Sequence, residues 1–335
     1  MIKVAINGFG RIGRLVFRIM EEDSDFEVVA INDLTDAEQL AYLLKYDTSH
    51  RRYRINEITY DDDHIIVGDR KIRIYKEMDP VNLPWGELGI DAVFECTGKF
   101  TSGDKAMAHI KAGAKKVIIS APAKGNVKTI VYGVNENTLD GTEQIISAAS
   151  CTTNCLAPVA SVLNNEFEIL AGYMTTVHAY TNDQSVLDVP HKKGAKSRRG
   201  RAAASNIIPA STGAASALGK VIPSLAGKLD GSALRVPVIT GSVVDLTVKL
   251  KKKVTAEEVN DALKKNTNQT LAYTEDPIVS SDVIGTHYGS IVDGLSTSVL
   301  NSGDEQLVKV VAWYDNEMGY SAQMVRTVKY LCSLK

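Results

Sequence analysis

Residues 2–13 read Ile2-Lys3-Val4-Ala5-Ile6-Asn7-Gly8-Phe9-Gly10-Arg11-Ile12-Gly13, an apolar strand that runs straight into a GxGxxG turn. Ile12, Leu15, Val16, Ile19 and Met20 then recur at helical spacing. Strand, glycine turn and helix in that order open a dinucleotide-binding βαβ unit. Gly8, Gly10 and Gly13 suit it because the turn is tight, the backbone must approach a pyrophosphate, and helix and strand must pack closely. The next strand, at 27–32, ends at Asp33, twenty residues past Gly13. A carboxylate there can accept both hydroxyls of an adenosine ribose and repel a 2′-phosphate, which points to NAD.

Outward from this unit, residues 36–46 carry a helical pattern, and from 53 to 75 the period shifts toward two. Turns at 61–63 and 68–69 make that stretch a set of hairpins inserted into the nucleotide domain. The acidic run Asp61-Asp62-Asp63 reads as a solvated turn. A strand at 91–98 with a glycine exit, a helix at 102–112 and a strand at 117–120 follow. Alternating strands and helices imply a doubly wound parallel sheet with ligand groups at the strand ends. Thr97, Gly98 and Ser120 are such ends, and Cys96 is expected in the core.

The second informative stretch is Ser150-Cys151-Thr152-Thr153-Asn154-Cys155. An apolar strand stops at Ser150, and Leu156, Val159, Ala160 and Leu163 begin a helix at 152–165. Cys151 thus sits at a helix N-terminus, where free backbone N–H groups and the dipole favour thiolate over thiol. Beyond it the character changes. A long alternating strand at 172–180 carries His178, and an irregular loop runs from 181 to about 204. Between residues 191 and 201 this loop holds six Lys or Arg and no acid. A loop of that length is commonly functional. Arg235, a strand at 243–250, a helix at 256–265, strands near 290–300 and 307–314, and a helix at 316–335 complete the chain.

The gross numbers narrow the function class. The 335 residues can bury a large core and suit two domains. A net charge of −2 gives no global pull toward nucleic acid or a membrane surface. No apolar run reaches membrane length and no signal peptide precedes the first strand. Four scattered cysteines, with no CxxC and no HExxH, argue against a disulfide framework or a metal centre and for a reducing cytoplasm.

With NGFGRIGR, Asp33, SCTTNC, HAYTND, Arg235 and WYDNEMGYS in place, the chain closely resembles the phosphorylating glyceraldehyde-3-phosphate dehydrogenases over essentially its whole length. The resemblance implies a Rossmann-type α/β NAD-binding domain, residues 1–150 with the helix 316–335 packed back on it. It also implies an α+β catalytic domain, 151–315, with a largely antiparallel sheet. Cys151 falls on the family nucleophile and His178 on its base, while Cys155 matches a second cysteine not needed for chemistry. Gly8, Gly10, Arg11, Ile12, Gly13, Asp33, Met78, Ser120 and Asn316 fall on cofactor positions, Met78 through its backbone. Ser150, Thr152, Thr212 and Gly213 match a site for inorganic phosphate, and Thr181, Arg198 and Arg235 a site for the substrate phosphate. The basic loop is a few residues longer than the usual form, so Arg199 is the alternative to Arg198. The implied reaction oxidises and phosphorylates glyceraldehyde 3-phosphate with NAD through a Cys151 thioester, in a cytoplasmic homotetramer that needs neither membrane nor nucleic acid. Two other readings share these residues: a sister dehydrogenase for erythrose 4-phosphate, and a non-enzymatic binder of RNA or protein.

Overall fold

Strand β1 (Ile2–Asn7) is fully buried from Val4 onward, so it can only be an inner strand of its sheet. It pairs in parallel with β2 (Phe26–Asn32) on one side, and helix α1 (Arg11–Met20) returns the chain between them. In this computed structural model residues 1–194 and 196–334 are described. Ala195 of the basic loop and Lys335 of the expected final helix lie outside the described residues. Helix α2 (Ala37–Lys45) starts where the Asp36 side chain accepts the Gln39 N–H. A two-stranded ribbon, β3 (Tyr46–Asp47) with β4 (Arg51–Arg52), follows. Strands β5 (Ile58–Tyr60), β6 (His64–Val67) and β7 (Arg70–Tyr75) form the antiparallel hairpins, and β7 joins β2 in parallel.

Strand β8 (Ala92–Glu95), helix α3 (Gly103–Lys111), and strands β9 (Lys116–Ile119), β10 (Lys128–Thr129) and β11 (Ile145–Ser147) complete a nine-stranded sheet. Its order is β10-β11-β9-β8-β1-β2-β7-β6-β5. The direction of strand addition reverses at β1, between β2 and β8. A crevice opens beyond the carboxyl ends of those strands, as topology requires.

The second sheet arises from a different pattern. Helix α4 (Cys151–Phe167) precedes β12 (Ile169–Ala179), β13 (Ile208–Ser211), α5 (Ala214–Val221) and β14 (Leu229–Val236). Then come β15 (Ser242–Leu250), α6 (Ala256–Lys265), β16 (Leu271–Thr274), β17 (Ser290–Ser302), β18 (Glu305–Tyr314) and α7 (Met318–Ser333). The seven strands run β13-β14-β12-β15-β18-β17-β16, antiparallel except at β12/β14 and β16/β17. β15 alternates buried and half-buried residues along its whole length, the mark of a sheet with one covered face. Helices α4 and α6 supply that cover. The chain divides into two units at Ser150/Cys151 and again at Tyr320/Ser321, and the described residues from Ser321 on belong with the first unit. There α7 buries Met324, Val325, Val328 and Leu331, and Lys329 pairs with Asp23 and Asp25 at 2.8 and 2.7 Å. Among the described residues no helix is long and apolar enough to cross a membrane.

Three local expectations change. β8 stops at Glu95 because its own carboxylate turns the chain, accepting the Thr97 N–H at 2.8 Å. Cys96 is therefore half-buried in the wall of the crevice and not a core residue. The 191–201 stretch has no acid of its own, but its charge is compensated from earlier in the same loop: Asp183 pairs with Arg199 and Asp188 with Arg201.

The glycine turn gives a direct test of the packing. A Cβ on Gly13 would lie 2.1 Å from the Gly8 carbonyl oxygen, whereas one on Gly10 meets nothing within 4 Å. Gly13→Ala should cost about 1–3 kcal/mol in urea unfolding, and Gly10→Ala much less. Equal losses would contradict this account of the turn.

Candidate active site

Cys151 is the first residue of α4, and Ala149, two residues before it, adopts a left-handed conformation (φ 58°) that swings the chain from strand into helix. His178 is the penultimate residue of β12 and only 3% exposed. The two meet with Cys151 Sγ 3.3 Å from His178 Nε2. On the far side of the ring, Nδ1 lies 2.7 Å from the Ala179 carbonyl oxygen. A carbonyl can only accept, so Nδ1 carries the proton and Nε2 is the acceptor that faces the thiol.

Burial sets the charge on this pair. It pushes the Cys151 thiol up, against the pull of the Arg235 cation and of donors at the helix start. Burial first, then Arg235, push the His178 imidazole down to about 3. Burial therefore favours the neutral thiol and the neutral imidazole over their charged forms. The helix dipole alone suggests a thiolate; desolvation, which no motif records, outweighs it. Cys155, one turn along α4, is fully buried against Ser290 Oγ and the Ala312 carbonyl, and its thiol is pushed up to about 12.

Around the pair lie cations and hydroxyls. Register places Arg235 of β14 beside His178 of β12. Its Nη1 donates to the Ala179 carbonyl at 3.1 Å and to Thr181 Oγ1 at 2.9 Å, while its buried Nε has no acceptor among the described residues. Thr181 donates onward to Asp183, which also holds Arg199. Arg199 is near enough for its charge to act on both His178 and Arg235. Arg198 is exposed and, with Lys193, Lys196 and Arg199, lines an open basic cleft of about 470 Å³, but it has no bond to Thr181, Asp183 or Arg235 like that of Arg199 to Asp183. The structure thus brings Thr181, Arg199 and Arg235 together and leaves Arg198 outside. Thr212 and Gly213 precede α5, which packs on α4, so both helices offer N-terminal amides in this unit. Thr152 is buried, bonded to Tyr314 OH at 3.0 Å; that hydroxyl also meets Thr176 at 2.8 Å, and the Tyr314 ring stands edge-on to His178. Tyr314 and Asp183 lie inside WYDNEMGYS and HAYTND, yet the sequence assigns neither a role, because only the packed structure shows what each touches. Asn316 is 5% exposed; its Oδ1 accepts from Gly241 N–H and Ser242 Oγ, so its amide N–H is what remains to offer a ligand. Ser150 is half-buried ahead of α4.

In the nucleotide unit, Gly8, Gly10, Asp33, Met78 and Thr97 line a cleft of about 500 Å³ at the switch point. Gly8 has φ +93°, and a Cβ there would lie 2.8 Å from the Thr97 nitrogen. Gly10, by contrast, leaves open space above the turn, which is what a pyrophosphate needs. The Asp33 oxygens accept the Phe9 and Thr35 N–H groups at 2.8 and 3.1 Å, which aims the carboxylate and leaves lone pairs for ribose hydroxyls. Arg11 and Ile12 open α1. Asp47 holds the Arg11 guanidinium; burial opposes ionisation there, yet bonds from His50 and Arg11 keep that carboxyl far below its usual range. Ser120 directly follows β9, its N–H on the Glu95 carbonyl at 3.0 Å. These residues fit a dinucleotide. Among the described residues no cluster of His, Cys, Asp and Glu could hold a metal ion.

Two outcomes follow from the buried pair. Iodoacetamide should label Cys151 and spare Cys155, and Cys151→Ser should lose the label carried by the peptide that starts α4; label on Cys155 would overturn the assignment. His178 has its pKa lowered in the fold, from about 6.5 in an open chain to about 3. The unfolded state therefore binds more protons in that window, and stability falls as pH drops through it. The loss between pH 6.5 and 5.5 should be about 1 kcal/mol smaller in His178→Gln than in the unsubstituted protein, read by urea unfolding.

Comparison with known proteins meets this geometry from the other direction. The NAD binding domain of glyceraldehyde 3-phosphate dehydrogenase matches residues 2–103, and the C-terminal domain of the same enzyme matches residues 150–316. Glyceraldehyde-3-phosphate dehydrogenases from Clostridium acetobutylicum and Clostridium pasteurianum are each 58% identical over 334 residues, spanning 100% of this chain and 99% of the relative. The Streptococcus pyogenes enzyme is 52% identical over 335 residues with the same coverage. A likeness of that depth, running the full length of the chain through both units, makes it a member of the glyceraldehyde-3-phosphate dehydrogenase family.

Proposed function

We infer that this protein is an NAD-dependent glyceraldehyde-3-phosphate dehydrogenase of glycolysis, forming 1,3-bisphosphoglycerate from glyceraldehyde 3-phosphate and inorganic phosphate. The observation that carries the reading is the 3.3 Å approach of Cys151 Sγ to an imidazole nitrogen that can only accept. His178 takes the thiol proton as Sγ attacks the aldehyde carbon, and returns it to the new oxyanion, giving a hemithioacetal. Backbone N–H groups at the start of α4 support that oxyanion. His178 Nε2 then removes the hydroxyl proton as the carbonyl reforms. NAD, when bound, supplies the acceptor for the hydride that leaves the same carbon. The product is a Cys151 thioester; a phosphate oxygen attacks it, the C–S bond breaks, and the thiolate departs.

The substrate phosphate has a further effect. Arg235 and Arg199 both depress the His178 pKa. A phosphate dianion among Arg235, Arg199 and Thr181 offsets those cations, satisfies the unpartnered Arg235 Nε, and makes His178 a stronger base when substrate is present. Arg199 takes the role expected of Arg198. Ser150, Thr152, Thr212 and Gly213 serve the attacking phosphate with the first turns of α4 and α5. On the cofactor side, Asp33 receives the ribose hydroxyls, Gly8, Gly10, Arg11, Ile12 and Gly13 the pyrophosphate, Met78 the adenine edge, and Ser120 and the Asn316 amide the nicotinamide end.

A homotetramer fits the basic loop. Val186, Leu187 and Val189 expose apolar side chains there, 83%, 72% and 54% accessible, and a neighbouring subunit would cover them. Four free cysteines suit a reducing cytoplasm.

The deciding experiment is NADH formation from glyceraldehyde 3-phosphate, NAD and phosphate, with erythrose 4-phosphate as the competing aldehyde. Turnover that ignores phosphate, or prefers erythrose 4-phosphate, would refute the reading. His178→Asn should slow turnover by about 10²–10⁴-fold. Arg199→Ala should raise KM for the aldehyde by about 10–100-fold, the scale of a lost bond to a charged group, while Arg198→Ala leaves it near normal. The opposite ranking of the two arginines would return the role to Arg198.

A further inference from the structure

Behind the nucleotide cleft runs a chain of buried polar side chains that the chemistry above does not use. Trp85, Glu95 and His109 are each at most 1% exposed. Trp85 Nε1 lies 3.0 Å from His109 Nδ1. An indole N–H can only donate, so Nδ1 is bare and the ring proton sits on Nε2. That nitrogen is 3.0 Å from Glu95 Oε2, which also accepts from Asn7 Nδ2 at 2.5 Å. Oε1 accepts the Thr97 N–H at 2.8 Å and the Thr97 hydroxyl. Four donors thus converge on one buried carboxylate, and His109, its orientation fixed by Trp85, supplies one of them.

The chain continues toward the ligand side. Asn7 Oδ1 accepts from Asn32 Nδ2 at 2.7 Å, and the Asn32 amide makes two reciprocal bonds, each 2.9 Å, with the Glu77 backbone beside Met78. Asn7, Asn32 and Glu95 end the three neighbouring strands β1, β2 and β8. Asn7, Asn32, Glu77 and Thr97 all line the cleft, and Thr97 N is the atom a Cβ on Gly8 would strike. One carboxylate therefore ties the strand ends, the glycine turn and the adenine-side backbone together. Such a network is strong only while every member is satisfied.

We propose that Glu95 is a positioning residue for NAD: without touching the reacting atoms, it fixes Asn7 and Thr97, and through them the glycine turn and the Glu77-Met78 backbone. The inference rests on reading the cleft as the NAD site. It assigns His109 the part of keeping Glu95 oriented by a single N–H donor.

Glu95→Gln preserves shape but sets an amide donor against donors, one of them the backbone N–H of Thr97, which cannot turn away. Calorimetric titration should show the NAD Kd raised about 10–100-fold, the scale of a lost bond to a charged group. kcat at saturating NAD should stay near that of the unsubstituted protein, a split that a general loss of fold would not give. A second pair decides if Glu95→Gln does not fold. His109→Gln keeps a donor for Glu95 and should retain NAD affinity, whereas His109→Leu lacks it and should lose affinity. Unchanged Kd in Glu95→Gln, or equal weakening in both His109 variants, overturns the inference. An unsubstituted protein that binds no NAD overturns the cofactor reading, and this inference with it.

Discussion

Desolvation is the constraint on which the catalytic unit turns. A thiol and an imidazole 3.3 Å apart, one at a helix start and one 3% exposed, cannot both hold charge cheaply away from water. The fold favours the neutral pair and arranges what is needed to charge them on demand. The Ala179 carbonyl fixes the tautomer, Tyr314 closes the ring face, and Arg235 stands beside His178 because β12 and β14 are parallel and in register. An antiparallel or slipped pairing would set a different residue of β14 beside the histidine. Sheet topology thus decides the electrostatics of the site.

The same economy governs anions. Helix starts and arginines can both receive them, but they differ in what they need when empty. The first turns of α4 and α5 carry their N–H groups permanently, at no cost in charge. The arginines need a counter-ion in the meantime, and Asp183 supplies one for Arg199. Thr181 links that carboxylate to Arg235, so the two cations share a single acid. An anion arriving among Arg199, Arg235 and Thr181 would meet an array already held in place, which would keep the entropy cost of ordering it low.

Much of this was legible in the residues alone. The glycine turn, Asp33 at its set distance and the change of period from 3.6 to 2 mark out both sheets, because each reflects local sterics or a single covered face. What stayed hidden depends on depth or on distant pairing. β13 and β14 are short and mostly half-buried, with no clean period, and only the register of β14 with β12 gives Arg235 its neighbour. The choice between Arg198 and Arg199 turns on a loop rich in Gly and Lys, where one residue's shift reverses which side chain turns inward. Cys96 reads as core by its apolar neighbours, but the Glu95 carboxylate ends the strand just before it. The protonation of Cys151 reads as thiolate from the helix start and as thiol once burial is known.

The return of α7 to the first unit has a bearing on how the chain is made. Its buried Met324, Val325, Val328 and Leu331, and the bond from Gln323 to the Tyr132 carbonyl, complete a unit whose other residues end at Ser150. A ribosome delivers those first 150 residues long before it delivers the helix that finishes them. The nascent nucleotide unit must wait, its apolar seat for α7 uncovered, while the whole second unit emerges. Premature release, or a stop codon near the end, would leave that seat open in every molecule. The described residues from Ser321 on are thus as much a part of the nucleotide fold as its glycine turn.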